Sequence, residues 1–288
     1  MELVFSVGAS SLIFILFRLF PRYGIHTLQA VIANYFVAFS CGIVLFSSHF
    51  TSNAQTTAAL PCALLCGVLF ISLFVVMGIS SQKNGVASTS IAVKMSMALS
   101  VLWVLVVSTT PIAFGKISPL FLALLGVFLV SFEKNSTKTR SYLWMLFVLF
   151  IGSAGLDLVL YLVRAQWLPK NFHEGIFASL GFLTAGVIGF LYFTFTLFTK
   201  KNKFHLRSWW AGILLGIPNY FSIYLLVSAY GNLDLTPAQI LSLANVGVVV
   251  LTSLFGYFLF KEGFTTKKIL GLLLCLLALT LFVWPIPF

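Results

Sequence analysis

The sequence has few charged residues: 8% of its 288 residues are Asp, Glu, Lys or Arg, whereas a soluble domain carries roughly 25%. Acidic residues are the scarcest, with 6 Asp and Glu against 17 Lys and Arg, and 60% of the chain is hydrophobic. The mean hydropathy is +1.07. This composition excludes a water-soluble enzyme. We interpret the net charge of +11 as a membrane-topology signal, not as a nucleic-acid-binding surface.

Recognisable catalytic and metal-binding motifs are also missing from the sequence. It has no Gly-rich phosphate loop, and its four cysteines all lie in apolar stretches. The spacing of Cys62 and Cys66 is compatible with a metal site, but no His or carboxylate lies near them, so small buried hydrophobes are the preferred interpretation. No acid–base pair or nucleophile set occurs near one interface. We therefore predict no metal, no cofactor and no enzymatic activity.

Long apolar runs dominate the sequence, and each membrane crossing by a helix needs about 20 mostly apolar residues. Hydropathy predicts ten such helices, and the first apolar run lacks a signal-peptide leader, so we expect it to be retained. Prolines such as Pro61 and Pro237 are interpreted as helix ends, and Thr236-Pro237-Ala238-Gln239 has the pattern of a capping box. The predicted segments are 3–19, 27–47, 60–80, 86–108, 118–132, 141–163, 174–199, 209–230, 236–260 and 268–286.

Basic residues are distributed unevenly among the connections. The odd-numbered connections hold 13 Lys and Arg, whereas the even-numbered ones hold 3. By the positive-inside rule the odd connections face the cytoplasm, which places both termini outside. We expect this membrane to be a bacterial inner membrane.

The chain contains an internal repeat. Residues 62–107 align without a gap on 211–256, and Gly8 to Leu12 align on Gly152 to Leu156. The repeat divides the chain into five-helix halves, 1–135 and 136–288, and an odd number of helices inverts the second half relative to the first. The predicted fold is thus an all-α polytopic membrane protein with ten transmembrane helices as two inverted repeats. Repeats of this kind build alternating-access transporters with a midplane site.

Two stretches carry a resemblance to a known family. One is Ala229-Tyr230-Gly231-Asn232-Leu233-Asp234-Leu235-Thr236-Pro237-Ala238-Gln239, and the other is Lys261-Glu262-Gly263-Phe264-Thr265. The second resembles the Gly-Glu-x-Leu-Thr element of the EamA-like branch of the drug/metabolite transporter superfamily, with Lys261 and Phe264 replacing the glycine and the leucine. The resemblance implies a five-plus-five fold and metabolite transport, commonly export. It also implies cytoplasmic termini, but on this point we follow the loop charges.

Two charged residues lie well inside predicted helices. Charges at membrane depth cost several kcal/mol, so Lys94 and Asp157 are functional candidates by default. Helical spacing places Ser90 on the face of Lys94 and Tyr161 on the face of Asp157, and both faces should point into the bundle. The run from Gly152 to Asp157 resembles the first helix of small multidrug resistance proteins, which implies that Asp157 is a proton-coupling carboxylate.

These charges admit three interpretations. Lys94 and Asp157 form a structural ion pair, or Asp157 exchanges a proton, or the two hold opposite ends of a zwitterion. Polar candidates accompany them: Pro218 should kink its helix and turn Asn219 and Tyr220 toward a cavity, unless the kink only serves packing. The ninth segment adds a strip that either packs or contacts substrate, which includes Gln239, Ser242 and Asn245.

The predicted function is secondary active transport of a small polar or amphipathic metabolite by alternating access. We expect it to export its substrate, and to be driven by protons or by exchange. The alternatives are a lipid-carrier flippase and a non-transporting membrane scaffold. Expected partners are a small-molecule substrate, membrane lipid and protons, with a homodimer as a compatible assembly and no nucleic acid.

Overall fold

The computed structural model of the chain describes residues 1–46, 54–107, 121–122, 125–126, 129, 142–162, 174–199, 203–232, 237–263 and 265–283. Within these residues the chain forms nine α-helices and a short 3-10 helix, and it contains no strand. The 3-10 helix is Phe20–Tyr23. The α-helices are α1 Glu2–Leu19, α2 Thr27–Phe46, α3 Ala54–Lys83, α4 Val86–Val107, α5 Leu143–Leu162, α6 Glu174–Phe198, α7 Leu206–Asn232, α8 Pro237–Phe260 and α9 Thr266–Val283.

Each of the nine helices matches one predicted apolar segment. Most of the remaining segment, 118–132, lies outside the described residues, although its described positions are helical. α8 begins at Pro237, as predicted, because a proline at the first position has no N–H to leave unpaired. α3 begins at Ala54 and contains Pro61, so the interpretation of Pro61 as a helix end is wrong. Membrane helices tolerate proline because neighbouring groups satisfy the carbonyl that it leaves free.

Seven of these helices contain an apolar stretch long enough to cross a membrane. A shorter apolar stretch, Val86–Ser100, lies in α4. The chain is therefore an integral membrane protein, since these stretches leave little surface for water. The seven stretches are Glu2–Tyr23, Thr27–Leu45, Leu60–Lys83, Leu143–Leu160, Ile176–Phe198, Leu206–Leu226 and Leu243–Phe260.

The chain packs as two compact units. The first unit comprises residues 1–18, 77–155 and 221–288, and the second comprises residues 19–76 and 156–220. Each unit therefore takes helices from both halves of the sequence. The internal repeat predicts a division at residue 135 into two related five-helix halves. This division stays a prediction.

In the second unit, small residues allow the helices to approach closely. α2 packs extensively against α6, where Gly189 lies against Ile32 and Phe36 contacts Phe190 edge to face at 6.3 Å between ring centroids. Gly212 of α7 lies against the backbone of Ala30. Glycine at such positions is typical of membrane helix interfaces, since van der Waals packing, not apolar burial, drives association in lipid.

In the first unit, α8 packs between α4 and α9. Its apolar core contains buried residues of α4, α5, α8 and α9, which include Met95, Phe150, Val249 and Cys275. Cys275 acts here as a small hydrophobe, as expected for a cysteine in an apolar stretch. This core fixes α4, the helix that carries Lys94.

Candidate functional site

The start of α4 is held by Glu262, which lies between α8 and α9. The Glu262 carboxylate accepts hydrogen bonds from the backbone N–H of Val86 at 2.7 Å and of Ala87 at 3.4 Å. The Lys268 ammonium lies 3.8 Å from the same carboxylate. A carboxylate at a helix N-terminus satisfies free N–H groups and opposes the helix dipole. The element that suggested the family thus has a structural task, which is to position α4.

α4 turns one face toward α8. Ser90 Oγ lies 2.6 Å from Thr252 Oγ1, and the Asn245 amide donates to Met97 Sδ at 3.2 Å. Lys94 lies one turn from both Ser90 and Met97, so it lies on the face of α4 that meets α8. Its side chain is half-buried. The predicted grouping of Ser90 with Lys94 therefore places both against α8, and Ser90 and Asn245 take part in contacts between helices.

Asp157 lies on α5, in the second unit, and its side chain is exposed. A carboxylate at membrane depth is costly to expose to lipid, and for this reason Asp157 stays a functional candidate. Lys94 belongs to the first unit, and its pairing with Asp157 stays a prediction. The side chains of Tyr161 and Gln239, like that of Ser242, lie outside the described residues, although all three positions are helical.

Asn219 and Tyr220 follow Pro218 in α7, which continues as one helix from Leu206 to Asn232. Both side chains are buried, with 6% and 5% of their surface exposed. Gly42 of α2 lies against Ser179 of α6 and the ring of Tyr220. The structure thus brings Tyr220 together with the polar Ser179, which the sequence interpretation did not single out.

Asn34 of α2 is a second residue that the sequence interpretation missed. It is fully buried, and among the described residues neither its amide nitrogen nor its amide oxygen has a hydrogen-bond partner. Its backbone carbonyl lies against Gly216 of α7, one turn before Asn219. The signal was available in the sequence, because Asn34, like Asn219, is an amide inside an apolar segment.

A polar cluster joins the start of α2 to the start of α7. The Gln29 amide donates to the Lys203 carbonyl at 2.7 Å and accepts from the His205 backbone N–H at 2.9 Å. The Ser208 hydroxyl accepts from the His26 backbone N–H at 2.8 Å. The His26 and His205 rings stack with centroids 6.2 Å apart. Burial, together with the charge of His205, lowers the pKa of His26 from its ordinary value of 6.5.

The chemistry open to these groups is hydrogen bonding and charge pairing. Within the described part of the chain, no three His, Cys, Asp or Glu side chains gather to hold a metal ion. Lys94 offers a cation, Asp157 an anion or a proton, and Asn34, Asn219 and Tyr220 neutral donors and acceptors.

Comparisons with known proteins find a matching family and a relative of similar length. The sequence profile of the EamA-like transporter family matches residues 139–284, which is just over half of the chain. A protein of Haemophilus influenzae that is described as uncharacterized is 24% identical over 287 residues and covers 96% of both chains. The family profile covers the helix that carries Asp157, the helix that carries Asn219 and the Glu262 element. The chain therefore belongs to the EamA-like transporter family, within the drug/metabolite transporter superfamily.

Proposed function

We propose that this protein is a secondary active transporter that moves a small polar or amphipathic metabolite by alternating access. The observation that carries the proposal is the fully buried carboxamide of Asn34, which lies next to the helix of Asn219 and Tyr220 and has no hydrogen-bond partner among the described residues. Burying an amide without a hydrogen bond costs roughly 1–3 kcal/mol in proteins. The cost is understandable if the carboxamide binds substrate in a conformation that opens this region to water.

Helix pairing supports an inverted repeat. The aligned repeats make α4 equivalent to α8, and these helices pack antiparallel, with Ser90 beside Thr252 and Met97 beside Asn245. By the same order α2 is equivalent to α6, and they too pack antiparallel. Antiparallel pairing of equivalent helices is what a two-fold axis in the membrane plane requires. Two related halves are the usual basis for alternating access.

Charge supports a substrate with ionic groups. Lys94 would hold a carboxylate or phosphate, and Asp157 would hold an amine or a coupling proton, so an amino acid or a similar zwitterion fits both. Tyr161 is one turn from Asp157 and Gln239 opens α8, and we propose both as further contacts. Ser90 and Asn245 shape the α4–α8 surface around Lys94. We further propose that transport is coupled to protons or to exchange, and that the protein exports its substrate.

Orientation and assembly follow from the sequence. The 13-to-3 loop charge ratio supports a bacterial inner membrane with both termini outside. A homodimer would be compatible with transport, since each chain holds both repeats. The lipid-carrier flippase would instead require a long-chain substrate. The scaffold would require that Lys94 and Asp157 serve stability alone.

The test is ligand-induced proton release from purified protein in weak buffer. Amino acids, amines and organic acids are screened on the wild type, Asp157→Asn and Lys94→Met. We expect one class of ligand to displace protons from the wild type and not from Asp157→Asn, while Lys94→Met weakens binding at least tenfold. Release that is unchanged in Asp157→Asn would rule out coupling through this carboxylate. If no ligand acts and both variants only melt earlier, the scaffold explanation is favoured.

A further inference from the structure

An apolar groove of about 570 Å³ lies between α8 and α9 in the first unit. Its walls include Leu254, Tyr257 and Phe258 of α8 and Ile269, Leu272 and Leu276 of α9. Several of these side chains are widely exposed, among them Phe258 at 71% and Tyr257 at 55%. An exposed apolar surface on membrane helices faces acyl chains, and a concave one holds a chain in a defined place.

A buried polar group lies inside this groove. Ser253 lines it, is 4% exposed, and its hydroxyl has no hydrogen-bond partner among the described residues. Most serines in membrane helices donate to a carbonyl one turn earlier, so an unused hydroxyl indicates a ligand with an acceptor oxygen. The ester of a glycerolipid has such an oxygen and is attached directly to an acyl chain.

An exposed lysine lies beside one end of the groove. Lys261 follows Tyr257 by about one turn, whereas Lys267, two residues before Ile269, lies on the opposite side of α9. In the described part of the chain neither lysine has an ion-pair partner, whereas Lys268 is buried against Glu262. Lysines at the ends of apolar helices lie at the depth of the lipid headgroups. Basic groups at that depth attract phosphates of anionic lipids.

We infer that this groove binds one anionic phospholipid, with an acyl chain along α8 and α9 and its phosphate at Lys261. A second copy of the chain is a poorer occupant. In a closed dimer of two copies inserted in the same orientation the axis runs normal to the bilayer, so equivalent residues meet at the same depth. A dimer through this face would bring the Lys261 side chains of both copies together, and their repulsion opposes it. The lipid is a resident ligand of the transporter, independent of its substrate.

The test uses thermal stabilisation and native mass spectrometry of the detergent-purified protein. The probes are phosphatidylglycerol, phosphatidylcholine with the same acyl chains, and inorganic phosphate. We expect phosphatidylglycerol to raise the melting temperature and to appear as a one-to-one adduct. Phosphatidylcholine should bind about tenfold more weakly or worse, and phosphate should have no effect, because it lacks the chain that fills the groove.

Variants separate the headgroup from the groove. Lys261→Gln should weaken phosphatidylglycerol binding roughly fivefold. Leu272→Trp, which fills the groove, should weaken both lipids. The matched control, Lys267→Gln, removes the same charge from the opposite side of α9 and should bind as the wild type does.

Three results would overturn the inference. Equal binding of the two lipids would remove the role of Lys261. Equal loss in the control variant would show an effect of net charge alone. A lipid-free dimer that Leu272→Trp dissociates would show that a second copy covers the groove.

Discussion

The carboxylate of Glu262 accepts a hydrogen bond from the backbone N–H of Val86 at 2.7 Å, although the two residues are 176 positions apart in the sequence. This bond links the loop between α8 and α9 to the start of α4. Since α4 carries Lys94, the position of the candidate cation depends on a residue far from it in the sequence. The Gly-Glu-like element is therefore explained by helix capping.

Removing this cap should destabilise the protein. Glu262→Ala leaves the Val86 N–H without its acceptor and Lys268 without its anion, so we expect a loss of roughly 1–3 kcal/mol. Glu262→Gln keeps one acceptor oxygen and should lose about half as much. Thermal or denaturant unfolding in detergent measures both. Equal losses in the two variants would show that the charge alone matters, and no loss would refute the capping role.

Gly85 should tolerate no side chain. Its φ is +95°, and a Cβ there would lie 2.7 Å from the Glu262 carboxylate. Gly85→Ala therefore combines backbone strain with a displaced cap, and we expect a loss of roughly 2 kcal/mol or more. Gly8→Ala is the matched control, because a Cβ there meets nothing within 4 Å and alanine favours the helix. Gly8→Ala should be neutral or slightly stabilising in the same unfolding assay.

Asn34 should separate stability from transport. Asn34→Leu replaces a buried amide, which has no partner within the described part of the chain, with an apolar group of similar volume, so we expect unchanged or higher thermal stability. The same substitution should lower transport at least tenfold. Thr184→Val is the control, because the Thr184 hydroxyl donates to the Ala63 carbonyl at 2.7 Å. It should cost about 1 kcal/mol and leave transport unchanged. A destabilised Asn34→Leu with normal transport would assign Asn34 to structure.

His26 should make stability depend on pH. Its pKa in the folded protein is lowered by burial and then by His205, so the unfolded chain binds the proton more readily. Stability from this group is therefore complete above its ordinary value of 6.5 and decreases as the pH falls through the lower folded value. Melting temperatures of the wild type should drop as the pH falls below 6.5. His26→Gln should flatten this decrease, and His205→Gln should reduce it. Parallel curves for all three would exclude His26 as the cause.

Helix positions were predictable because a backbone in lipid must satisfy its own hydrogen bonds, which makes apolar length a direct signal. Pro237 also marked a helix start, for the same reason that proline does so elsewhere. The interpretation of Pro61 as a helix end was wrong because neighbouring groups satisfy the carbonyl that a proline inside a membrane helix leaves free. The sequence could not reveal this compensation, since it depends on tertiary contacts.

The candidate site was predictable in its residue types and less so in its geometry. Charge singled out Lys94, and the structure places it on the α4 face toward α8. Asn34 was missed because it carries no charge and has no neighbouring proline, which are the features that singled out Lys94, Asp157 and Asn219. Periodicity within one helix does not encode contacts between helices distant in sequence, such as α2 with α6. The exposure of Asp157 depends on such contacts, and so does the way in which each unit combines segments from both halves of the chain.

Counterflow into proteoliposomes tests the central claim most directly. Vesicles are loaded with an unlabelled ligand identified by proton release, diluted, and exposed to a trace of the labelled form. Alternating access through the proposed site predicts transient accumulation of label by the wild type, abolished in Asp157→Asn and reduced at least tenfold in Asn34→Leu. A ligand that binds tightly but shows no counterflow in the wild type would contradict transport, and undiminished counterflow in both variants would contradict the site.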